Sequence, residues 1–263
     1  MTPLKNYLDN HPLVNKRADG LYFQNNFSFE TFEKQYIEVR QKENRLHSDK
    51  EIRLLPKVST DHPHLEEWLI RKKSTGKLAN YLKKTPVENL LEVGCVNGWF
   101  THRLSSQVKV DTCGVDVNEF ELEQAARLFS NGGTTFLQAD VFSDILPIGF
   151  FDVIVLASSA QYFPIFSRLI QRMFELGRST AEVHIIDTPF YHPLQIADAH
   201  KRTEDYFAQM GFPAMAANYF HRSISELDNF NWTYLYNPAS LQNRVVRKFR
   251  RTSPFPWIVV KPA

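Results

Sequence analysis

One short stretch, Asn89–Gly98, constrains the fold of this chain more than any other part of the sequence. It opens with an apolar run of leucine and valine that holds a single acid, Glu92, and continues with Gly94 and Gly98. Residues of helix-forming composition follow, from Trp99 to Leu104. This order indicates a buried parallel strand, a tight glycine turn and the start of a helix. Such a turn lets a ligand approach the backbone and points helix N–H groups at it.

From this stretch onward, apolar runs of strand length alternate with segments of helical periodicity. The predicted strands lie near residues 90–93, 108–115, 134–138, 151–156, 182–186, 232–236 and 257–260. The last two lack a full helical crossover, so one of them is expected to be antiparallel. The alternation predicts an α/β fold with a doubly wound, mostly parallel seven-stranded sheet and right-handed crossovers.

The first part of the chain has a different character. Residues 1–27 are polar and irregular, which predicts a loosely ordered arm. Two helical segments follow, one after Ser28 and one around residues 65–82. We therefore divide the chain into an N-terminal arm and helical cap, residues 1–88, and a main domain, residues 89–263.

The composition is that of a soluble globular protein, with 43% hydrophobic and 23% charged residues. A net charge of +2 gives little reason to expect nucleic acid as a partner. No apolar stretch approaches the length of a membrane span and no signal peptide is recognisable, so we expect a cytoplasmic protein without membrane contacts. Cys95 and Cys113 do not form a disulfide framework, and the histidines show no metal-ligand spacing with them, so we predict no metal site.

Two aspartates follow the predicted strands at the edge where a doubly wound sheet binds its ligand. Asp116 ends the second strand, and its carboxylate can accept hydrogen bonds from both hydroxyls of a ribose. Asp140 ends the third strand and could accept from an adenine amine while the N–H of Val141 donates to the ring. Each aspartate also has a structural interpretation, as a helix cap or a turn residue. The pattern favours a ligand that contains a nucleoside.

The spacing of the glycines distinguishes between two known kinds of ligand-binding loop. The dinucleotide fingerprint Gly-x-Gly-x-x-Gly needs glycines two and then three residues apart, whereas Gly94 and Gly98 are four apart. An acid before a Gly-Cys-x-Asn-Gly loop, acids ending the next two strands, and Phe-Asp-Val-Ile-Val-Leu opening the fourth strand resemble the class I S-adenosylmethionine (SAM) methyltransferases. The likeness is to the small-molecule, type 11-like members, and it extends to about residue 187 and more weakly into the final hairpin.

The resemblance implies a SAM-dependent methyltransferase, in which the glycine loop wraps the methionine part of SAM and the product is S-adenosylhomocysteine (SAH). The positions that match cofactor contacts of that family are Glu92, Gly94, Cys95, Gly98, Asp116, Asp140, Val141 and Ser158. One position departs from the family pattern, because Val96 stands where members commonly carry glycine. If that backbone needs a positive φ, a β-branched residue there is strained and crowds the methionine part.

The acceptor side of the reaction is less defined by the sequence. Methyl transfer can be driven by positioning and desolvation, and a base is needed only if the acceptor must lose a proton. His192, with an ordinary pKa of about 6.5, is the predicted base, although a histidine before a proline is more commonly a cap or a surface residue. Tyr162 and Tyr191 are predicted to line the acceptor pocket and complete the catalytic set. Asp187 and His64 are weaker candidates.

Several functions stay open at this point. Three aromatic pairs, which fall after strands or on the late helix, favour an apolar or aromatic small-molecule acceptor, although core packing explains them almost as well. They are Tyr162-Phe163, Phe190-Tyr191 and Tyr219-Phe220. RNA or protein as acceptor is kept open by a basic run, which a solvated helix face also explains: Arg244, Arg247, Lys248, Arg250 and Arg251. Val96 motivates a second class, a catalytically impaired SAM-binding or interaction protein. A nicotinamide oxidoreductase ranks third, because the second glycine of its fingerprint is missing.

Overall fold

The computed structural model of the protein describes residues 2–25, 27, 30–249 and 252–262. Ser28, Arg250 and Arg251, which entered the sequence analysis, lie outside the described residues. The same holds for the side chains of Arg247 and Lys248.

The strands are β1 (Val14–Lys16), β2 (Tyr22–Gln24), β3 (Asn89–Val93), β4 (Asp111–Asp116), β5 (Thr134–Gln138), β6 (Phe151–Ala157), β7 (Gly177–Ile186), β8 (Phe190–Tyr191), β9 (Arg222–Ser223), β10 (Asn231–Tyr236) and β11 (Trp257–Lys261). The α-helices are α1 (Pro3–Asp9), α2 (Glu30–Lys42), α3 (Asp49–Leu54), α4 (Leu65–Leu82), α5 (Trp99–Val108), α6 (Glu119–Phe129), α7 (Phe166–Leu176), α8 (Ile196–Gln209) and α9 (Leu241–Phe249). Among the described residues, none of the helices could cross a membrane by length and apolar character.

The main sheet of the described chain has nine strands in the order β1-β2-β5-β4-β3-β6-β7-β11-β10. Neighbours from β2 through β7 pair in parallel, whereas β1 and β11 run antiparallel to the strands beside them. Each predicted strand is present, and the predicted fold class, a doubly wound and mostly parallel α/β sheet, is confirmed. The antiparallel strand of the final hairpin is β11.

The prediction of seven strands is wrong, because the N-terminal arm adds β1 and β2. The arm is not loosely ordered: β2 pairs in parallel with β5, with Tyr22 opposite Leu137. Leu21 and Tyr22 are buried at this edge, where β5 would otherwise present unpaired backbone groups. Strands of three residues are too short to show a period of two, so no pattern of apolar residues predicts them. The division of the chain at residue 88 stays a prediction, although this arm contributes to the main sheet.

The sheet is packed on both faces, and β3 shows how its residues are divided between them. Leu91 and Val93 belong to the apolar cluster on one face, whereas Leu90 belongs to the cluster on the other, which includes residues of α4, α5 and α6. Successive side chains of a strand point to opposite faces, so Glu92 shares the face of Leu90 and lies against α5. An acid is thereby buried near the carboxyl end of the central strand.

A smaller apolar cluster joins the cap to the later part of the chain. Val39 of α2 packs with Phe207 of α8 and with Met215 beyond it. Lys42 reinforces this contact, since its ammonium donates to the carbonyl oxygen of Met210 at 2.8 Å. The helices α2 and α8 are therefore packed against each other.

The integration of the arm can be tested at Tyr22, which is 1% exposed and whose hydroxyl donates to Asp9 at 2.8 Å. We expect Tyr22→Ala to lower the free energy of unfolding by roughly 3–5 kcal/mol, as other aromatic-to-alanine changes in cores do. Urea denaturation measures this loss. Tyr7→Ala on the exposed side of α1 is the control, with an expected loss below about 1 kcal/mol. Similar small losses for both variants would contradict a packed arm.

Candidate functional site

A cavity of about 910 Å³ opens at the carboxyl ends of the central strands. The strand order reverses between β3 and β6, which is where a doubly wound sheet leaves a crevice. The cavity is lined by most of the predicted cofactor positions, namely Glu92, Gly94, Cys95, Asp116, Asp140, Val141 and Ser158. The structure thus brings the three carboxylates together with the glycine loop around one crevice. Gly98 is not among the lining residues.

The two glycines of the loop are required by close packing. Both have a positive φ, 79° at Gly94 and 72° at Gly98. A Cβ at Gly94 would lie 2.5 Å from the Cβ of Ser159, and one at Gly98 would lie 2.5 Å from the ring of Phe136. Gly98 therefore acts by letting the loop pack against β5, and Gly94 by letting it pack against the segment after β6.

Val96 has a positive φ, the backbone conformation considered for it because family members commonly carry glycine at this position. Its φ is 51°, in the left-handed region that a β-branched residue rarely adopts. Ser158 and Asp187 also have positive φ, at 57° and 52°, and both line the same cavity. Non-glycine residues in this region cost about 1–3 kcal/mol each and persist where the surroundings hold them, commonly at functional sites.

Asp116 holds the glycine loop to the end of β4. One carboxylate oxygen accepts from the N–H of Val96 at 2.8 Å, and the other accepts from the N–H of Asn118 at 3.0 Å. Burial raises the pKa of Asp116, and these hydrogen bonds oppose part of that rise. Each carboxylate oxygen has a second lone pair, so the group can still accept from a diol in the cavity.

Glu92 is a buried acid beside the loop, 3% exposed, and the hydroxyl of Thr101 on α5 donates to it. Burial is the main cause that raises the pKa of Glu92 to about 8, and the negative charge of Asp116 adds to the effect. A ligand ammonium group in the cavity would favour the ionised form. The position therefore suits the amino group of an amino-acid ligand.

Asp140 and Val141 lie on the loop after β5, and this loop is fixed from behind. Asp140 accepts from the N–H of Phe142 at 2.9 Å, which is the turn role that the sequence also allowed. Arg172 donates from Nε to the carbonyl of Val141 at 2.9 Å and from a terminal nitrogen to the carbonyl of Ser143 at 2.5 Å. Sequence reasoning missed Arg172, because it lies within the amphipathic helix α7 and resembles a solvated position.

Cys95 lines the cavity as a neutral thiol. Burial is the first cause that raises its pKa. Cys113 on β4 is also buried, with a pKa raised to about 12. Both cysteines are free, and within the described part of the chain no group of three or more His, Cys, Asp or Glu side chains is arranged to hold a metal ion.

The second half of the cavity is aromatic, and Tyr162 lies at its centre. The ring of Tyr162 packs edge-on against Tyr36 at 5.9 Å, Tyr219 at 5.8 Å and Phe32 at 6.4 Å. Burial raises the pKa of Tyr162 well above its ordinary value, so its hydroxyl stays protonated. Tyr191 lines the same cavity. The two tyrosines predicted for the acceptor pocket therefore face one space.

His192 lies elsewhere, as an exposed cap of the short helix Pro193–Gln195. Its Nδ1 accepts from the N–H of Leu194 at 3.3 Å, and its own N–H donates to the side chain of Gln195 at 3.1 Å. His192 is not among the residues that line the cavity. The capping interpretation describes its surroundings, and the structure does not place its side chain in the cavity that Tyr162 and Tyr191 line.

The two weaker candidates, Asp187 and His64, both line the cavity. Asp187 accepts from the hydroxyl of Ser74 at 2.6 Å, and its other carboxylate oxygen is buried without a partner. His64 Nε2 lies 2.6 Å from the carbonyl oxygen of Glu43. His64 is thus engaged by the cap, whereas Asp187 keeps one oxygen for a ligand.

The lining residues that the sequence analysis did not select include two arginines and a histidine. Arg40 and Arg71 come from cap helices α2 and α4, where amphipathic spacing makes an arginine look solvated. Arg40 contacts Glu121 at 3.1 Å, and Arg71 contacts Glu67 at 2.9 Å. The third is His221, which follows a Tyr-Phe pair that the sequence had already marked as a pocket signal.

Comparison with known proteins relates the part of the chain around this cavity to one family. Residues 90–180 match the family model described as a methyltransferase domain. The matched segment contains the glycine loop and the three carboxylates of the cavity. No curated protein matches the chain by sequence.

Solved structures share the fold at low sequence identity. The YcgJ protein of Bacillus subtilis is 14% identical, with a TM-score of 0.52 over 73% of this chain and 99% of its own. A putative SAM-dependent methyltransferase of Methanococcus maripaludis is 12% identical, with a TM-score of 0.51 over 82% of this chain and 94% of its own. The plantazolicin methyltransferase BpumL, in complex with a monoazolic desmethylPZN analog and SAH, is 14% identical, with a TM-score of 0.51 over 89% and 97%.

Residues 90–180 match a methyltransferase domain, in keeping with the predicted class I methyltransferase, and the shared fold confirms the predicted doubly wound class.

The raised pKa of Glu92 can be tested through the pH dependence of the free energy of unfolding. The folded state holds the proton of Glu92 to about pH 8, whereas an ordinary glutamate loses it near pH 4.5, so the free energy of unfolding falls as the pH rises between these values. We expect Glu92→Gln to resemble the wild type near pH 5 and to be more stable at pH 8, by on the order of a few kcal/mol at about 1.4 kcal/mol per pKa unit. Urea denaturation at both pH values measures the difference.

The control for this test is Glu88→Gln, whose side chain is 79% exposed just before β3. It should leave the pH dependence unchanged. Buried acids that do not interact with Glu92 contribute equally to both proteins, so the comparison reports Glu92 together with its coupling to Asp116. An identical decline in the wild type and in Glu92→Gln would contradict the raised pKa.

Proposed function

We propose that this protein is a SAM-dependent methyltransferase that transfers a methyl group to a small apolar or aromatic molecule. The observation that carries the proposal is one cavity with two different halves. Glu92, Asp116 and Asp140 surround the glycine loop in one half, and aromatic rings around Tyr162 line the other. A cavity of this size can admit two ligands side by side, which a transfer between two molecules requires.

The carboxylates suit the parts of SAM in the order in which the strands present them. Glu92 would hold the amino group, Asp116 the ribose hydroxyls, and Asp140 with Val141 the adenine. Bound SAM supplies an activated methyl group on a sulfonium, and the task left to the protein is positioning and the exclusion of water. The apolar second half, with Tyr162 held by its neighbours, is suited to both.

An apolar acceptor is favoured by the walls of the second half. These walls are rings from α2, the segment after β6 and the segment after α8, including Phe32, Tyr162 and Tyr219. A polymeric acceptor would need an extended charged surface at the entrance. The basic run lies on and beyond α9, and no described residue of α9 lines the cavity. RNA or protein is therefore the less favoured acceptor. A cytoplasmic location also belongs to the proposed function.

A second candidate function rests on Val96. A β-branched residue at a φ of 51° on the loop that would wrap the methionine part strains the backbone and narrows the space. A protein that binds SAM weakly, or binds it without turnover, would follow from this observation.

Cofactor binding at Asp116 tests the leading proposal. We expect calorimetry to show saturable binding of SAM and SAH by the wild type, and Asp116→Asn to weaken SAH binding about 10- to 100-fold, since hydrogen bonds to a charged group contribute about 1.5–3 kcal/mol. Asp144→Asn, exposed on the same loop as Asp140, is the control and should bind as the wild type. Thermal unfolding checks that both variants fold. Failure of the folded wild type to bind either compound would refute the proposal.

Val96→Gly separates the two candidate functions. Glycine removes the side chain that narrows the space for the methionine part, so we expect the variant to bind SAH roughly three- to tenfold more tightly than the wild type, a gain of about 1 kcal/mol. Lys109→Gly is the matched control: Lys109 also has a positive φ, 63°, but lies at the end of α5 away from the cavity. It should leave SAH binding unchanged. Tight binding and turnover by the wild type, with no gain in Val96→Gly, would remove the second candidate.

A further inference from the structure

In the aromatic half of the cavity, where the methyl acceptor would bind beside Tyr162, one imidazole has no hydrogen-bond partner. His221 lines the cavity just before β9, and both its ring nitrogens are buried without a donor or acceptor within reach. An unsatisfied buried polar atom costs about 1–3 kcal/mol, so it usually marks a place where something else binds. His64, another histidine of the cavity, differs in this respect, since its ring is engaged by a backbone carbonyl of the cap.

His221 is surrounded by the residues of the acceptor pocket. Its ring lies 5.1 Å from Tyr219 and 5.5 Å from Tyr191. Tyr219 in turn packs on Tyr162, which follows Ser158 by one short turn. The backbone also joins these segments, because the N–H of Phe220 donates to the carbonyl of Gln161 at 2.7 Å. His221 is therefore tied to the segment after β6 that borders the glycine loop.

We propose that His221 is the general base of the methyl transfer, and that the acceptor is a flat aromatic molecule whose hydroxyl oxygen receives the methyl group. This inference rests on the proposed function and extends it to a residue and to an acceptor class. The hydroxyl hydrogen-bonds to an imidazole nitrogen, after a small shift of the tyrosine side chains that cover it. The aromatic walls hold the ring of the acceptor.

The chemistry of possible acceptors favours an oxygen nucleophile. A carboxylate is ionised at neutral pH, a neutral amine carries a free lone pair, and a thiol ionises near pH 8.5. These three acceptors therefore gain little from a base that removes a proton. A phenolic hydroxyl has a pKa of about 10 and gains most from one. As its proton passes to His221, the oxygen forms a bond to the methyl carbon. The carbon–sulfur bond breaks with its electron pair left on sulfur, which yields SAH, and His221 then releases the proton to solvent.

The pH dependence follows from the groups that face His221. Burial lowers the pKa of His221, and the neighbouring His200, Arg202 and Arg222 lower it further, whereas the other rings against it are those of Tyr191 and Tyr219. The imidazole is therefore neutral at pH 7 and can accept a proton. Methyl transfer should fall as the pH drops through this lowered pKa, because the protonated ring is no longer a base.

The experiment uses two probes that differ by one hydroxyl, 2-naphthol and naphthalene, with the full chain loaded with SAH. We expect the wild type to bind 2-naphthol roughly five- to tenfold more tightly than naphthalene, the worth of one hydrogen bond. His221→Phe keeps an aromatic ring and should reduce this preference to about one. His192→Phe is the control outside the cavity and should keep it. Equal binding of both probes by the wild type, no saturable binding of 2-naphthol, or a preference kept in His221→Phe would each overturn the inference.

Transfer from SAM to 2-naphthol then tests the base itself. We expect His221→Phe to lose about 100-fold or more in rate, the usual contribution of a general base, with SAM affinity unchanged. The wild-type rate should rise with pH through the imidazole pKa, and this rise should be absent in the variant. A protein that binds SAM and 2-naphthol but transfers nothing, or a variant with the wild-type rate, would refute the base. If the wild type does not bind SAM, the proposed function itself is refuted.

Discussion

The carboxylate of Asp116 is the interaction on which the site depends. It accepts from the N–H of Val96 with one oxygen and from the N–H of Asn118 with the other, so it ties the glycine loop after β3 to the end of β4. Without this link the left-handed backbone of Val96 would have little to hold it. The same residue faces the cavity, so the group that shapes the loop is also placed to bind the ligand that the loop surrounds.

The cavity joins this loop to parts of the chain that lie far away in sequence. The cap helices α2 and α4 contribute arginines and rings, and the segments around α8 contribute the remaining aromatic wall. The carboxyl edge of the sheet alone would form an open crevice. The apolar contact between Val39 and Phe207 covers part of this crevice from above.

The fold was predictable because its signals are local and repeated. The apolar run of β3 and the acids Asp116 and Asp140 fall where strand periodicity and the switch-point rule require them. The short strands β1 and β2 lack periodicity, and their burial depends on a distant edge strand. His221 and Arg172 were missed for a similar reason: their roles arise from packing between separate segments. His192 was selected by residue type and position, and the structure shows that its nitrogen serves a local helix cap.

The pairing of β2 with β5 has a consequence for how the protein is made. Tyr22 leaves the ribosome long before Leu137, its partner across the sheet, has been synthesised. Until then β2 lacks the strand that it pairs with in the folded sheet. A contact between residues so far apart in sequence also carries a loop-closure cost. The edge of the sheet should therefore dock late, and a nascent chain that stalls before β5 would expose Leu21 and Tyr22 to chaperones.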